Sequence, residues 1–246
     1  MNPAIIVRSL LIAALALCVF SFAARSQDKP TAAATESEIK AAAANARSAT
    51  DVEKKVVEWV GSLKLDDAAK EARVTEVITT HLKTIRDWHN EHPHTTVPAG
   101  INPVTGKSLS VLDRQMIADS AMPKTVHEAL MAGLRKDLAE PQVEAILDKY
   151  TVGKVEFTMK GYKAIVPDLT PEEEKMILGF LKQAREEAVD YKNMTQISAI
   201  FEIYKTKSEQ YLNANGRDWK KLYKTYTDAA KARKAEAAKQ STKPTP

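Results

Sequence analysis

Residues 66–93, DDAAKEARVTEVITTHLKTIRDWHNEHP, carry the clearest helical pattern in the chain. The paired acids Asp66 and Asp67 stand at the start, where the positive end of a helix favours negative charge. Pro93 cannot continue a helix and marks the end. Between them, apolar side chains recur every three or four residues, which places them on one face: Val74, Val77, Ile78, Leu82, Ile85 and Trp88. The stretch therefore predicts one long helix with a buried stripe.

Similar patterns on both sides of this helix predict an all-α fold. Thr170-Pro171-Glu172-Glu173 has the form of a capping box, and the chain holds only 8 glycines among 246 residues. Residues 151–169 are ambiguous, since Val155 to Phe157 could be extended whereas 157–166 also fits a short helix. We expect a single helical-bundle-like domain of about six to eight helices over residues 50–240.

The N-terminus has the features of a secretory signal peptide. Arg8 gives a basic start, residues 10–24 form an apolar run, and small residues precede a cleavage point after Ser26. The apolar run is short for a membrane span. We expect residues 1–26 to be removed, and the protein to be secreted to the periplasm or outside the cell. A lipid anchor through Cys18 is the alternative.

The rest of the chain outside the domain is compositionally simple. Residues 27–49 predict a low-complexity linker, and residues 241–246 a disordered tail. Because Cys18 is the only cysteine, the mature chain has no thiolate nucleophile or disulfide. No transmembrane helix is expected in the mature chain.

Charge is uneven along the second half of the chain. Residues 168–190 hold seven acidic and three basic groups, whereas residues 202–246 hold eleven basic and five acidic groups. These segments predict complementary helices that pack together, with a basic tail in solvent. The alternative is an anionic partner, such as a phospholipid surface or a polyanionic glycan. We expect no nucleic-acid partner for a secreted protein.

Histidines near the end of the long helix are candidate metal ligands. His89 and His92 are three residues apart and share a helix face, and His94 could supply a third ligand for Zn²⁺ or Cu²⁺. The alternative is a helix end with solvated histidines. His81 falls on the buried stripe, so it needs a partner inside the core. No motif requires a cofactor, and Zn²⁺ or Cu²⁺ is the metal ion that these histidines would bind.

Large aromatic rings cluster late in the chain, and three of them are candidate ligand-binding residues: Tyr204, Tyr211 and Trp219. Such rings usually pack helices together, but several on one surface would form a platform for sugar or peptide. No nucleophile motif or glycine-rich phosphate loop is present. Adjacent acids such as Glu186 and Glu187 favour a solvated acidic face over a glycosidase pair.

Three motifs of the second half resemble an uncharacterised secreted bacterial family, domain-of-unknown-function family 3826. They are Pro-Asp-Leu-Thr-Pro-Glu-Glu at 167–173, Leu-Lys-Gln-Ala-Arg-Glu-Glu-Ala at 181–188, and the tyrosine and lysine pattern from Tyr204 to Gly216. The resemblance covers roughly residues 50–225 and is best over 138–225. It implies an all-helical secreted domain and no assigned activity. The chain departs from the family pattern over 93–107, so any metal site formed by the histidines is expected to be particular to this chain.

Three functions follow as hypotheses. The first is a non-catalytic binding or accessory protein with an unknown protein or glycan partner. The second is a hydrolase or lyase acting on envelope or extracellular polymers, which a pocket with one histidine and two carboxylates would favour. The third is a metal-binding envelope stress protein. Whether the protein is an enzyme is left open by the sequence.

Overall fold

The computed structural model describes residues 36–103 and 105–241. The predicted signal peptide, Cys18 and residues 242–246 of the predicted tail lie outside the described residues. The described residues fall into two units, the first comprising 36–42 and the second 43–103 and 105–241. The residues of the first unit are helical. Everything below concerns the second unit.

The predicted all-α class is confirmed, since the described ranges hold nine α-helices and no strand. Their bounds are α1 Glu36–Gly61, α2 Ala68–Glu91, α3 Val111–Ser120, α4 Lys124–Asp137, α5 Glu140–Thr151, α6 Lys154–Ile165, α7 Pro171–Ala188, α8 Met194–Ala214 and α9 Trp219–Ser241. A 3₁₀ turn, His94–Thr96, follows α2. One isolated antiparallel bridge joins Ile101 to Ser108.

Helix starts follow the signals in the sequence. Asp67 caps α2 by accepting from the backbone N–H groups of Ala69 at 2.8 Å and Lys70 at 3.0 Å. The capping box of α7 is complete, because Thr170 Oγ1 accepts from Glu173 N at 3.2 Å while Glu173 Oε2 accepts from Thr170 N at 2.8 Å. These contacts satisfy N–H groups that the helices leave unpaired.

The ambiguous segment 151–169 is helical. Val152 and Gly153 both take positive φ angles, 54° and 66°, which ends α5 and turns the chain directly into α6. Val155 then falls on the inner face of α6 and is buried. Tertiary packing decides in favour of the helix where local β-propensity was undecided.

The long loop after α2 is fastened to α3. The side-chain amide of Gln115 accepts from His94 N at 2.8 Å and donates to His92 O at 3.0 Å. Arg114 Nε donates to Val97 O at 2.8 Å. Because these bonds satisfy loop backbone groups, the loop packs as part of the domain.

Buried apolar side chains form two clusters. The first core, from α1, α2, α4 and α5, contains Val56, Trp59, Val60, Val74, Ile78, Leu130, Met131, Leu134, Leu138, Val143, Ile146, Leu147, Tyr150 and Val189. The second core, from α6, α7 and α8, contains Val155, Tyr162, Ile177, Leu181, Ala184, Ala188, Ile197, Ile200, Phe201, Tyr204 and Leu212. Val189, which follows α7, packs in the first core, whereas Ala188 at the end of α7 packs in the second.

Polar side chains join the two cores. Arg185 of α7 is buried, and its Nη1 donates to Asp148 Oδ1 of α5 at 2.8 Å. Lys192 Nζ donates to Asn90 Oδ1 of α2 at 2.6 Å. Of these four side chains only Arg185 is buried, since Asn90 and Lys192 are exposed and Asp148 is half-buried. Asp190 also lies where the two cores meet.

Helix α2 lies close to α4 at Gly133. A Cβ built on Gly133 would lie 2.6 Å from one methyl of Val77 and 2.8 Å from the other. We expect Gly133→Ala to lower the free energy of unfolding by about 1–3 kcal/mol, because the stiff valine cannot move aside. Urea unfolding measures the change.

Gly179 is the matched control for Gly133. It also lies inside a helix, but a Cβ there meets nothing within 4 Å. Gly179→Ala is expected to raise the free energy of unfolding by about 0.5–1 kcal/mol through helix propensity. A stabilising Gly133→Ala would contradict the close approach of α2 and α4.

Candidate functional site

Asp190 joins two histidines from different helices. Its Oδ1 lies 3.0 Å from His81 Nε2 of α2, and its Oδ2 lies 2.9 Å from His127 Nδ1 of α4. An ionised carboxylate only accepts hydrogen bonds. Each of these ring nitrogens therefore carries a hydrogen and donates it to Asp190, which ties α2 and α4 to the end of α7.

The charge of Asp190 is stabilised by its partners. Burial by itself would raise the pKa of this carboxyl group. Hydrogen bonds from His127 and His81 outweigh burial and hold the pKa of Asp190 below its ordinary value. Asp190 is accordingly ionised at neutral pH.

His81 is the inner member of the network. It is 3% exposed, and its Nδ1 lies 3.2 Å from the hydroxyl of Tyr150 on α5. Nε2 is engaged by Asp190, so Nδ1 is the nitrogen that forms the hydrogen bond with the Tyr150 hydroxyl. Burial, and then the charge of Asp190, raises the pKa of Tyr150 well above its ordinary value, so the phenol keeps its proton. Both nitrogens of His81 are thus used to hold Asp190 in place.

His127 is the outer member of the network, and one of its nitrogens faces a cleft. With Nδ1 bonded to Asp190, its Nε2 lies 3.7 Å from Glu186 Oε1 of α7. The hydrogen bond to Asp190 raises the pKa of His127 despite partial burial, and the charges of Asp190 and Glu186 add to the rise. His127 therefore binds or releases a proton at a position that a ligand can reach.

We call the space beside His127 the Asp190 cleft. It has a volume of about 620 Å³ and is open to solvent on one side. Lys124, His127 and Glu128 line it from one face of α4, because residues three and four apart lie together on a helix. The other lining residues come from α7, α8 and the end of α3: Gln183, Glu186, Glu187, Asp190, Tyr191, Tyr204, Asp119, Ser120, Met122 and Pro123.

The tyrosines of the Asp190 cleft are protonated donors. The hydroxyl of Tyr204 donates to Glu187 Oε2 at 2.8 Å. Burial, together with the charge of Glu187, raises the pKa of Tyr204 and of Tyr191 to about 12 in each case. One face of the Tyr204 ring is covered by Lys207, whose Nζ lies 4.0 Å from the ring centre. The edge and the hydroxyl of Tyr204 therefore line the cleft, whereas Lys207 covers a ring face on which a ligand would otherwise stack.

A second buried carboxylate, Asp119 of α3, holds the end of α2. Its Oδ2 accepts from His89 Nδ1 at 2.7 Å and from Gln196 Nε2 at 2.5 Å, and its Oδ1 accepts from Gln115 Nε2 at 2.9 Å. Asp119 is 5% exposed, so these three donors replace its lost water. His89 is thus engaged in joining α2 to α3.

The other two histidines of the predicted metal site have separate surroundings. His92 stacks on Trp88 with ring centres 3.8 Å apart, and its Nδ1 contacts Trp88 O at 2.9 Å. His94 begins the 3₁₀ turn, and its backbone N–H donates to Gln115. Over residues 36–103 and 105–241, no group of three or more His, Cys, Asp or Glu side chains is placed to hold a metal ion.

A second concave surface lies between α6, α8 and α9, and we call it the aromatic groove. It has a volume of about 740 Å³. Its rings are Phe157, Tyr162, Phe201, Trp219, Tyr223 and Tyr226. Phe157 is 77% exposed and Tyr223 is 50% exposed, so part of the aromatic surface faces solvent.

The three predicted ligand-binding residues lie in different places. Trp219 lines the aromatic groove, with its ring centre 5.2 Å from Tyr162 and 6.0 Å from Tyr223. Tyr204 lines the Asp190 cleft. Tyr211 packs edge to face against Phe180 at 6.4 Å and lines neither surface.

Sequence reasoning missed Asp190, His127, Phe157 and Tyr223 as site residues. One signal pointed towards Asp190, because His81 on a buried stripe requires a polar partner. Nothing in the sequence identified that partner, which is 109 positions away. Only some of the site residues could therefore be predicted from the sequence.

None of the described helices is both long enough and apolar enough to cross a membrane.

A comparison with curated proteins finds no match. A family model described as "Protein of unknown function (DUF3826)" matches residues 49–232, which is more than half of the chain and includes both concave surfaces. The resemblance seen in the sequence motifs is thereby confirmed, and the chain belongs to this family of proteins of unknown function.

Proposed function

We propose that this protein is a binding protein, secreted to the periplasm or outside the cell, that holds a neutral carbohydrate in the aromatic groove without catalysing a reaction there. The observation that carries the proposal is the set of exposed rings around Trp219. Support for the location comes from the signal-peptide pattern of residues 1–26. A carbohydrate chain is a common polymer in those compartments.

The rings of the groove are suited to the apolar face of a sugar. Trp219 is held in place between Tyr162 and Tyr223, while Phe157 and Tyr223 are half or more exposed. The C–H face of a pyranose ring packs against such a surface, and its hydroxyls remain at the edge for hydrogen bonding. Rings already fixed by packing lose little entropy when a ligand binds.

Polar groups at the rim of the groove are nearly balanced in charge. Lys154, Lys160 and Lys205 stand against Glu202 and Glu209. Lys205 Nζ donates to Glu202 at 2.9 Å, so part of the charge is neutralised internally. A rim with donors and acceptors but little net charge favours a neutral, hydroxyl-rich ligand over an ion.

The test is calorimetric titration of the full mature chain with neutral hexasaccharides of glucose, xylose and mannose. We expect at least one to bind, and Trp219→Ala and Tyr223→Ala each to weaken that binding by roughly tenfold, as expected for losing one stacked ring. Tyr211→Ala is the matched control, since this ring lies outside the groove, and it should leave the affinity unchanged. Failure of all three sugars to bind, or an equal loss in Tyr211→Ala, would overturn the proposal.

A further inference from the structure

We propose that the Asp190 cleft is a second, catalytic site that hydrolyses carboxylic esters of neutral alcohols, with His127 as the general base. This inference is independent of the aromatic groove and of carbohydrate binding there. It starts from the orientation of His127, whose Nδ1 is bonded to Asp190 and whose Nε2 lies towards the cleft.

The orientation of His127 is imposed by a relay of buried groups. Tyr150 forms a hydrogen bond with His81 Nδ1, and Asp190 accepts from His81 Nε2 and from His127 Nδ1. A structural tie between α4 and α7 would need only one such bond. The additional buried partners hold Asp190 so that His127 Nε2 lies on the cleft side of the ring, beside Glu186. In the neutral ring this nitrogen carries the lone pair that a general base requires.

Water is the nucleophile that the cleft can supply. No cysteine occurs in the described residues, and the hydroxyl of Ser120, which also lines the cleft, donates to Ile117 O at 2.8 Å. In the proposed step, His127 Nε2 takes a proton from water while the water oxygen bonds to the ester carbonyl carbon. The tetrahedral intermediate then breaks its bond to the alkoxy oxygen, which takes the proton from His127. The products are a carboxylic acid and an alcohol, and no oxidant or cofactor is consumed.

The groups that would stabilise negative charge on the carbonyl oxygen lie at the start of α4. No side chain caps this helix, and its first residues, including Lys124, line the cleft together with His127. Unpaired N–H groups at a helix N-terminus and a nearby ammonium group stabilise an oxyanion. Base and oxyanion donors would thus come from the same helix end.

The charge of the cleft selects against anionic substrates. Asp119, Glu128, Glu186, Glu187 and Asp190 contribute five carboxylates, against the single ammonium group of Lys124 and the titratable His127. Phosphate esters and uronic acids are repelled from such a surface. The substrate class that fits is an uncharged acyl ester, for example an acetylated neutral sugar.

The test uses the full mature chain with peracetylated glucose and O-acetylated xylan, and follows acetate release by proton NMR. We expect His127→Gln, whose amide can still donate to Asp190, to lower the rate at least about 100-fold while the melting temperature changes little. His92→Ala, a histidine outside the cleft, should leave the rate unchanged. No acetate release by the wild-type protein, or full activity in His127→Gln, would overturn the proposal.

The pH profile separates catalysis from a structural role. The rate of ester hydrolysis should rise with pH as His127 loses its proton. The charged groups that face His127 are Asp190 and Glu186. The other charged groups nearby line the same cleft: Glu187 on α7, and Lys124 and Glu128 on α4. Because the negative charge of Glu186 favours the protonated ring, Glu186→Gln should move the rising limb to lower pH. A limb that stays in place would show that His127 is not the group that titrates in catalysis.

Discussion

Replacing Asp190 with alanine is expected to lower the free energy of unfolding by roughly 2–4 kcal/mol. Asp190 accepts from both His81 and His127, and His81 is almost fully buried. The substitution leaves a buried ring N–H without an acceptor and removes the tie among α2, α4 and α7. Urea unfolding followed by far-UV circular dichroism measures the loss.

Asp228 provides the control for Asp190. It pairs with Lys224 on the exposed side of α9, four residues away, and exposed pairs of this kind contribute little to stability. Asp228→Ala should therefore be nearly neutral. An Asp190→Ala protein as stable as the Asp228→Ala protein would show that the network contributes nothing to folding.

The loss of unfolding free energy caused by Asp190→Ala is expected to become smaller both at low pH and at high pH. The pKa of Asp190 is lowered in the folded protein, so its contribution is present above its ordinary value of 3.8 and is lost as the pH falls. The pKa of His127 is raised, so its contribution is present below its ordinary value of 6.5 and is lost as the pH rises through the folded value. The difference between wild type and variant should be largest between these two limits.

Arg217→Leu is the second substitution with a large expected effect, a loss of roughly 2–4 kcal/mol of unfolding free energy. Arg217 precedes α9 and binds the start of α7, where its Nε and Nη2 donate to the two carboxylate oxygens of Glu173 at 3.0 and 2.8 Å. Its Nη1 also donates to Asp168 at 2.8 Å. Glu173 is buried, so removing Arg217 leaves a buried charge without its partner.

Acid unfolding distinguishes the loss of this ion pair from a general loss of packing. The hydrogen bonds from Arg217 lower the pKa of Glu173 to about 2, against an ordinary value of 4.5. Because the pKa is depressed, the stabilisation is present above pH 4.5 and is lost as the pH falls from 4.5 towards 2. Arg217→Leu should make stability less dependent on pH in this range.

Arg135 is the control for Arg217, since it lies 3.9 Å from Glu140 with both side chains at least half exposed. Arg135→Ala is expected to change stability by less than about 0.5 kcal/mol. If the Arg217→Leu protein had the same free energy of unfolding as wild type, with the same dependence on pH in acid, the ion pair would have no energetic role.

The pairing of Arg217 with Asp168 and Glu173 also confirms one charge prediction. The acidic segment 168–190 and the basic segment 202–246 do meet at this point, and residues 231–236 of α9 are exposed. Opposite net charge identified the two segments but not the residues in contact. Those depend on where the turn after α8 places Arg217 relative to the start of α7.

Helices could be predicted because their signals are local. The stripe from Val74 to Trp88, the cap at Asp67 and the capping box at Thr170 and Glu173 each involve residues no more than four apart, or a repeat of that spacing. The segment around Val155 was undecided because its local signals conflict. Contact with the second core decided it.

By itself, the sequence determined that this chain is all-α, where α2 lies and where α7 begins, and which family it resembles. Only the tertiary structure brought His81, His127 and Asp190 together and separated Trp219 from Tyr204 and Tyr211. The physical reason is the separation along the sequence over which each kind of interaction acts. Backbone hydrogen bonding and helix periodicity act over three or four residues, whereas the meeting of side chains from α2, α4 and α7 depends on how two apolar cores pack against each other.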